Sequence, residues 1–325
     1  MSRRILSGLQ PTGDIHIGNY LGAIQQWVEL SRQYDGFYCV VDYHAITAQH
    51  EVELLQQRSF DAALQFIAAG VDLERSEIFI QSTVPEHTEL AWVFSTITPM
   101  GLLERMTQFK DKSRKNNKNI NAGLFTYPVL QTADILLYKA TDVPVGEDQA
   151  QHIELAREIT QKFNNRYGEL FPEPRTLITQ ARRIIGLDGK NKMSKSLNNH
   201  IAIMDTDEEI AAKLRSAVTD TRRVRLTDPG EPTDCNIFAL HDFFTSPEQR
   251  EEIATGCRNA TIGCGECKKI LADNISSFLT PLRDSISDLQ QHPDTVRDVL
   301  QRGTARAGEL ARETMAEVRS RIGIR

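Results

Sequence analysis

The apolar positions in the first eighty residues form two kinds of pattern. The nearly continuous apolar run at 37–41 is typical of a strand buried on both faces, and the shorter apolar stretches within 5–8 and 77–81 predict two further strands. Between them, 17–30 and 57–69 carry apolar residues every three or four positions, which predicts amphipathic helices. Strands that alternate with helices predict an α/β fold, a parallel sheet with helices on both faces.

From about residue 200 onward the pattern is helical. Thr206 and Glu209 have the spacing of a capping box, which predicts a helix from there to about Val218. A loop rich in proline and glycine follows at 228–232, and 238–322 shows helical spacing without a convincing strand. We therefore predict an α/β domain over 1–200, with a connective insertion at roughly 75–125, and an all-α domain over 201–325.

Composition and charge narrow the class of protein. A chain of 325 residues with 40% hydrophobic content can bury two cores. With 38 basic and 44 acidic residues the net charge is −6, which excludes binding of nucleic acid through overall positive charge. Local basic clusters remain at 105–118 and at Arg222, Arg223 and Arg225, although each alone is most simply a solvated loop. The sequence contains neither a membrane helix nor a signal peptide, so we expect a cytoplasmic protein.

The first motif, GLQPTG at 8–13 followed by HIGN at 16–19, links the first predicted strand to the first predicted helix. Glycines let the backbone approach a ligand, and the start of a helix offers free N–H groups that suit phosphate. His16 and Asn19 are three residues apart and share one face of the first turn. The alternative interpretation is an ordinary strand–turn–helix in which a polar residue caps the helix. Neither a P-loop nor a dinucleotide fingerprint is present.

The second motif, KMSKS at 192–196, follows a loop that contains Gly186, Asp188, Gly189 and Lys190. Two lysines and two serines on such a loop can hold a polyphosphate, whereas alone the pentapeptide would more often be plain surface. Taken together, in this order and at this separation, the two motifs resemble the paired signatures of the class I aminoacyl-tRNA synthetases. The resemblance implies a Rossmann-type catalytic domain that uses ATP and Mg²⁺ to make an aminoacyl-adenylate.

Five further segments resemble the tryptophanyl-tRNA synthetases in particular. They are GLQP at 8–11, VDYHAIT at 41–47, MTQFKDK at 106–112, ADILLY at 133–138 and VPVGEDQAQH at 143–152. The resemblance covers residues 5 to about 220 and weakens in the helical domain. Two positions depart from the family pattern: Gln131 stands where methionine is frequent, and Leu6 where an aromatic residue is common.

The resemblance assigns residues to the tryptophan site. Asp134 matches the aspartate that accepts the indole N–H, and a buried acceptor of this kind penalises any analogue without the donor. Outside the family context Asp134 is equally well explained as a helix N-cap. The other residues expected around the amino acid are Gln10, His44, Gln131, Val143, Val145 and Gln149.

The resemblance also assigns residues to ATP. Those expected on the adenosine and phosphate side are Gln10, Pro11, Thr12, Gly18 and Asn19; Gly146, Glu147 and Asp148 match the ribose-binding segment, and Ile184 matches an adenine contact. The KMSKS residues Lys192, Met193, Ser194, Lys195 and Ser196 complete the ATP site. The catalytic residues expected are His16, Asn19, Lys112, Lys192 and Lys195.

The implied reaction joins tryptophan to tRNA(Trp) in two steps, and the implied assembly is a homodimer. A tyrosyl-tRNA synthetase is the nearest alternative. A non-catalytic RNA-binding iron–sulfur protein on a synthetase fold is the alternative from another class.

The chain has five cysteines, and four of them are grouped. Cys39 lies in an apolar run and is expected in the core. Cys235, Cys257, Cys264 and Cys267 have the spacing C-x21-C-x6-C-x2-C, and four thiolates suit Zn²⁺ or an iron–sulfur cluster. Some tryptophanyl-tRNA synthetases carry a [4Fe–4S] cluster with nearly this spacing, so the resemblance favours the cluster over zinc. Four unrelated thiols remain the simplest alternative.

Overall fold

The computed structural model describes residues 3–11, 13, 15–47, 50–110, 120–146, 149–178 and 184–325. The chain divides into two compact units. Unit 1 comprises Met1–Gly13, Gln25–Gln180 and Leu289–Arg325, and unit 2 comprises Asp14–Ile24 and Ala181–Asp288. The units group segments by packing, so the predicted domain division at residue 200 stays a prediction.

The strands are β1 (Arg4–Leu9), β2 (Asp35–Val40), β3 (Ser76–Ile80), β4 (Asp142–Val145) and β5 (Arg175–Ile178). The helices are α1 (Ile17–Asn19), α2 (Gln25–Ser31), α3 (Asp42–Ala45), α4 (Val52–Ala68), α5 (Glu86–Ser95), α6 (Met100–Glu104), α7 (Ala122–Leu137), α8 (Ala150–Tyr167), α9 (Asp207–Ser216), α10 (Asn236–Phe244), α11 (Pro247–Arg258), α12 (Cys264–Gln291) and α13 (Pro293–Ile322). Tyr20–Ile24 is a π-helix, and Gln81–Thr83, Lys195–Leu197 and Pro232–Asp234 are 3-10 turns.

The five strands form one parallel sheet in the order β3-β2-β1-β4-β5. This order reverses direction between β1 and β4, which is the arrangement of a Rossmann-type fold. The predicted α/β class is therefore confirmed, and all three predicted strands are present. Residues 201–325 contain helices and, apart from one bridging residue at Ala202, no strand, so the all-α character of this region is also confirmed.

Two helix starts illustrate how sequence sets local structure. The Thr206 side chain accepts a hydrogen bond from the Glu209 N–H (3.2 Å), and Glu209 accepts one from the Thr206 N–H (2.8 Å), so the predicted capping box is confirmed. The helix after His16 differs from the prediction because its second turn is a π-helix. Such turns are frequent at functional sites.

The core of unit 1 includes Leu6, Cys39 and Phe79, each at most 4% exposed, so the predicted burial of Cys39 is confirmed. Helix α13 packs on the edge strand β3 of the same unit. Gly303 makes this contact possible, because a Cβ there would lie 2.0 Å from the Ile78 carbonyl oxygen.

Crossing a bilayer takes about twenty consecutive apolar residues in one helix. In the described part of the chain, no helix is both long and apolar enough to do so.

Candidate active site

The sheet of unit 1 presents a crevice at its carboxyl edge. Gln10 follows β1, and Gly146 follows β4, and these neighbouring strands flank the point where the strand order reverses. Open parallel sheets bind their ligands in the crevice at such a switch point. His44 on α3 and Gln81 follow β2 and β3 at the same edge.

Asp134 on α7 is the buried charge at this edge, with an exposed fraction of 2%. Its Oδ2 lies 2.8 Å from His44 Nε2, and its Oδ1 lies 2.7 Å from both Gln81 Nε2 and His87 Nδ1. Asn121, not Asp134, caps α7, and it does so by accepting from the Leu124 N–H. The alternative that Asp134 is a helix N-cap is therefore wrong.

The carboxylate of Asp134 is held in its charged form. Burial alone would raise its pKa, but hydrogen bonds and charge interactions with His44 and His87 outweigh burial and bring the pKa well below its usual value. Asp134 is consequently ionised at neutral pH and can accept a hydrogen bond from a ligand.

A second set of hydrogen-bonded polar side chains lies near Asp134. Tyr127 on α7 and His152 on α8 are both buried, and the Tyr127 hydroxyl lies 3.1 Å from His152 Nε2. His152 Nδ1 lies 2.7 Å from Gln149 Oε1. The Tyr127 ring meets the His44 ring edge-on at 6.2 Å, so these side chains belong to the same region as Asp134.

The other residues predicted for the amino acid are near this edge by position. Gln131 is half-buried on α7, three residues before Asp134, while Val143 is buried on β4 and Val145 half-buried at its end. Gln10 is exposed and Pro11 is buried. Leu6 belongs to the hydrophobic core. Thr12, Lys112, Glu147 and Asp148 lie outside the described residues.

The HIGN and KMSKS motifs come together within unit 2. The backbone of Ile17 donates to Ile201 (3.0 Å), and Ile203 donates to Ile15 (2.9 Å), so the HIGN segment pairs with the residues just after KMSKS. A Cβ on Gly18 would lie 3.3 Å from Met193 Cβ. Gly18 therefore lets the two motifs approach closely.

His16 acts first as a cap. Its Nδ1 accepts a hydrogen bond from the Asn19 N–H (3.2 Å), and Asn19 Oδ1 accepts one from the His16 N–H (3.3 Å), which is a reciprocal capping box. Because Nδ1 accepts this hydrogen bond, the neutral His16 ring carries its proton on Nε2. Burial, with smaller effects from His200 and Lys192, lowers the pKa of His16 to about 4.

The KMSKS loop has an internal scaffold. The chain folds back on itself between Ile184 and Met193, and both of these side chains are buried. Asn199, with 3% exposed, accepts from the Ser194 N–H (2.7 Å) and donates to Asp188 Oδ2 (3.0 Å). Lys192 and Lys195 are exposed on this loop, as are Ser196 and Lys190.

The low pKa of His16 gives a pH prediction. His16 takes up a proton near its ordinary pKa of 6.5 in the unfolded chain and only near 4 in the folded chain. The free energy of unfolding therefore decreases as the pH falls between these values. His16→Asn keeps a good N-cap and removes the titration. We expect wild type to lose about 2 kcal/mol more unfolding free energy than His16→Asn between pH 7 and pH 5, measured by urea unfolding. Equal losses would contradict the buried, neutral state of His16.

The four grouped cysteines line one small apolar cavity of unit 2, together with Phe238, Ile253 and Ile262. Their predicted role as a ready-made metal ligand set is not supported, since no group of three or more His, Cys, Asp or Glu in the described ranges converges on a metal position. Two of the sulfurs have other partners: Cys267 Sγ lies 3.4 Å from His241 Nε2, and Cys257 Sγ lies 3.9 Å from an Arg223 nitrogen. Burial raises the pKa of Cys267 to about 12.

Sequence reasoning missed five buried polar residues in the region of Asp134, namely Gln81, His87, Tyr127, Tyr138 and His152. One of them carried a signal. His87 continues the apolar stripe formed by Leu90 and Phe94 on α5, so it points into the core, where a histidine needs polar partners.

Known proteins resemble this chain over its whole length. The family described as tRNA synthetases class I (W and Y) matches residues 2–280. A tryptophan–tRNA ligase of Deinococcus radiodurans is 50% identical over 325 residues, with 98% of each chain covered, and one of Thermotoga maritima is 43% identical, with 99% of each covered. The structure of tryptophanyl-tRNA synthetase from Campylobacter jejuni complexed with ADP and tryptophan has a TM-score of 0.91 at 38% identity and covers 99% of this chain and 100% of that one. The chain belongs to the class I tRNA synthetase family of the tryptophan and tyrosine enzymes.

Proposed function

We propose that this chain is a tryptophan–tRNA ligase that forms tryptophanyl-adenylate from ATP and transfers the amino acid to tRNA(Trp). The observation that carries the specificity is the ionised, buried carboxylate of Asp134, which is held by residues that follow β2 and β3 at the carboxyl edge of the sheet. An indole N–H is a donor without acceptor character, so it matches a carboxylate that can only accept. The tryptophan–tRNA ligases at 50% and 43% identity support the same substrate.

The first step places the tryptophan carboxylate against the α-phosphorus of ATP, and pyrophosphate leaves. The attacking carboxylate is already ionised at neutral pH, so the protein need not supply a base. In the second step a terminal ribose hydroxyl of the tRNA attacks the carbonyl of the adenylate, and AMP leaves. The chain therefore contributes mainly positioning and stabilisation of charge on the phosphates.

Several of the ATP contacts of this mechanism are assigned to unit 2. We assign the phosphates to the start of α1 and to Lys192 and Lys195, and the adenine to the surroundings of Ile184. Mg²⁺ would be bound mainly by phosphate oxygens, because this ion keeps water and phosphate ligands in preference to a cage of protein groups. The neutral state of His16 suits a hydrogen-bond donor through Nε2 toward a phosphate oxygen.

The test is ATP–pyrophosphate exchange with each of the twenty amino acids, followed by charging of tRNA(Trp). Tryptophan alone is expected to support rapid exchange. Exchange with tyrosine instead would assign the tyrosine enzyme of the same family. Absence of exchange with any amino acid would favour a non-catalytic RNA-binding role.

The four cysteines form a second, separate part of the proposal. Cys235, Cys257, Cys264 and Cys267 would hold a [4Fe–4S] cluster, with Zn²⁺ as the alternative. The proposal rests on the spacing of the four cysteines in the sequence and on the small cavity that all four line. The group would stabilise the helical region or present it to the anticodon.

The metal is identified by purification without oxygen. A brown protein with sulfur-to-iron charge-transfer absorption and four iron atoms per chain is expected for the cluster. A colourless protein with one zinc ion per chain would assign zinc, and a metal-free protein would leave four unrelated thiols.

The expected homodimer is also part of the proposal. Trp92 on α5 is 72% exposed and Met100 on α6 is 63% exposed, and we take Trp92 as a candidate residue of the dimer surface. Sedimentation equilibrium of wild type and of Trp92→Glu tests this, because a dimer that uses this surface should dissociate in the variant. The cytoplasmic location stays a prediction.

A further inference from the structure

The two oxygens of Asp134 have different surroundings. Oδ1 receives two hydrogen bonds, from Gln81 and His87, and Oδ2 receives one, from His44. A carboxylate offers about four acceptor positions, two on each oxygen. Among the described residues, the position left over is therefore on Oδ2, beside a His44 side chain that is 10% exposed while the His87 side chain is fully buried.

The direction of the His87 hydrogen bonds follows from the charge of Asp134. An ionised carboxylate can only accept, so the His87 Nδ1 carries a proton and donates to Asp134 Oδ1. His87 Nε2 lies 2.7 Å from the Tyr138 hydroxyl, and both side chains are buried. This second hydrogen bond holds the ring from its other side.

Gln81 is oriented in the same way. Its Oε1 accepts a hydrogen bond from the Tyr43 N–H (3.1 Å), which places Nε2 toward Asp134 Oδ1 as a donor. Gln81 is fully buried, so water cannot replace either hydrogen bond of its side-chain amide. Two donors from two different elements thus hold the same oxygen.

We infer that His87 and Gln81 are specificity-determining positioning residues: they occupy Oδ1 of Asp134 and so leave Oδ2 as the acceptor that selects the indole N–H. Tyr138 supports them because its hydroxyl holds the His87 ring through Nε2. The inference rests on the proposed role of Asp134 in binding tryptophan. It adds that selectivity depends on residues that do not touch the amino acid.

The consequence for selectivity is specific. If Oδ1 loses a donor, the carboxylate can turn and satisfy itself with His44 or water, and the penalty for a ligand without a ring N–H becomes smaller. The benzothiophene analogue of tryptophan, β-(3-benzothienyl)alanine, lacks this donor and otherwise has nearly the same shape. The ratio of kcat/KM for tryptophan to kcat/KM for this analogue therefore reports the state of Oδ2.

Two substitutions of His87 separate its two bonds. In His87→Asn the amide nitrogen occupies the place of Nδ1, so the bond to Asp134 is kept and the bond to Tyr138 is lost. In His87→Gln the amide occupies the place of Nε2, so the bond to Tyr138 is kept and the bond to Asp134 is lost. Each variant leaves one buried polar group unsatisfied, which makes them matched controls for stability.

In ATP–pyrophosphate exchange, His87→Gln should lower the tryptophan-to-analogue ratio by about tenfold or more, through a higher KM for tryptophan. His87→Asn should keep the ratio within about threefold of wild type, and the KM for ATP should stay unchanged in both. Equal ratios in both variants would overturn the inference. If His87→Gln does not fold, Gln81→Met replaces it, because it removes the other donor to Oδ1, and a wild-type ratio in that variant would overturn the inference too.

Failure of the proposed function is distinguishable. A wild-type protein that shows no exchange with tryptophan would contradict the function itself. A wild-type protein that selects tryptophan while Asp134→Asn retains the ratio would contradict the role of Asp134.

Discussion

Replacing Asp134 by asparagine is expected to lower kcat/KM for tryptophan on the order of 10³-fold. The side chain keeps its size, but only one of its two terminal atoms can accept. The donors at Oδ1, from Gln81 and His87, would take the amide oxygen, so the amide nitrogen would stand where Oδ2 was. There it would face both His44 and the indole N–H, donor against donor.

The measurement is ATP–pyrophosphate exchange as a function of tryptophan concentration, with the KM for ATP determined alongside. Asp142→Asn is the matched control, since Asp142 is also a buried carboxylate of unit 1 but is paired with Arg3 at the amino end of β4. It should reduce stability and leave kcat/KM for tryptophan near that of wild type. An Asp134→Asn enzyme with wild-type kcat/KM would show that the carboxylate does not bind the substrate.

The second large effect concerns the KMSKS lysines. Lys192→Ala and Lys195→Ala should each lower kcat for exchange by about 10²- to 10³-fold while changing the KM for ATP by less than about threefold. Negative charge develops on the departing pyrophosphate in the transition state. A lysine ammonium on a fixed loop therefore stabilises the transition state more than it stabilises bound ATP. The hydrogen bonds of Asn199 fix the position of this loop.

Lys190→Ala provides the comparison, because Lys190 is exposed on the same loop, two residues before Lys192. It should retain kcat within about twofold if position matters more than local charge. An equally large loss of kcat in all three variants would mean that the loop acts through its overall positive charge. A higher KM for ATP with unchanged kcat in the KMSKS variants would contradict their action in the transition state.

The parts of the fold set by local sequence were predictable. Apolar runs marked β1, β2 and β3, and the Thr206–Glu209 pair marked the start of α9. The π-helix after Asn19 was not predictable from spacing, because its apolar residues fit an α-helix equally well. The compact units were also beyond local patterns, since Asp14–Ile24 groups with a segment that begins at Ala181.

The site shows the same division. The two short motifs indicated the ATP half, and Asp134 was identified through its neighbours in sequence. What surrounds Asp134 arrives from elsewhere: His44, Gln81 and His87 are 90, 53 and 47 residues away along the chain. No local pattern can reveal such partners, because it is the parallel sheet that brings the ends of β2 and β3 to one edge.

The contact of Gly303 with Ile78 has a consequence for synthesis on the ribosome. Helix α13 begins more than two hundred residues after β3 ends. At ordinary elongation rates the ribosome therefore reaches α13 roughly 10 to 40 s after it has made β3. Until then the backbone of an edge strand is a template for pairing with other chains. Nascent chains interrupted between Ile178 and Pro293 should therefore depend on chaperones for solubility, even though every strand of the sheet has already been made.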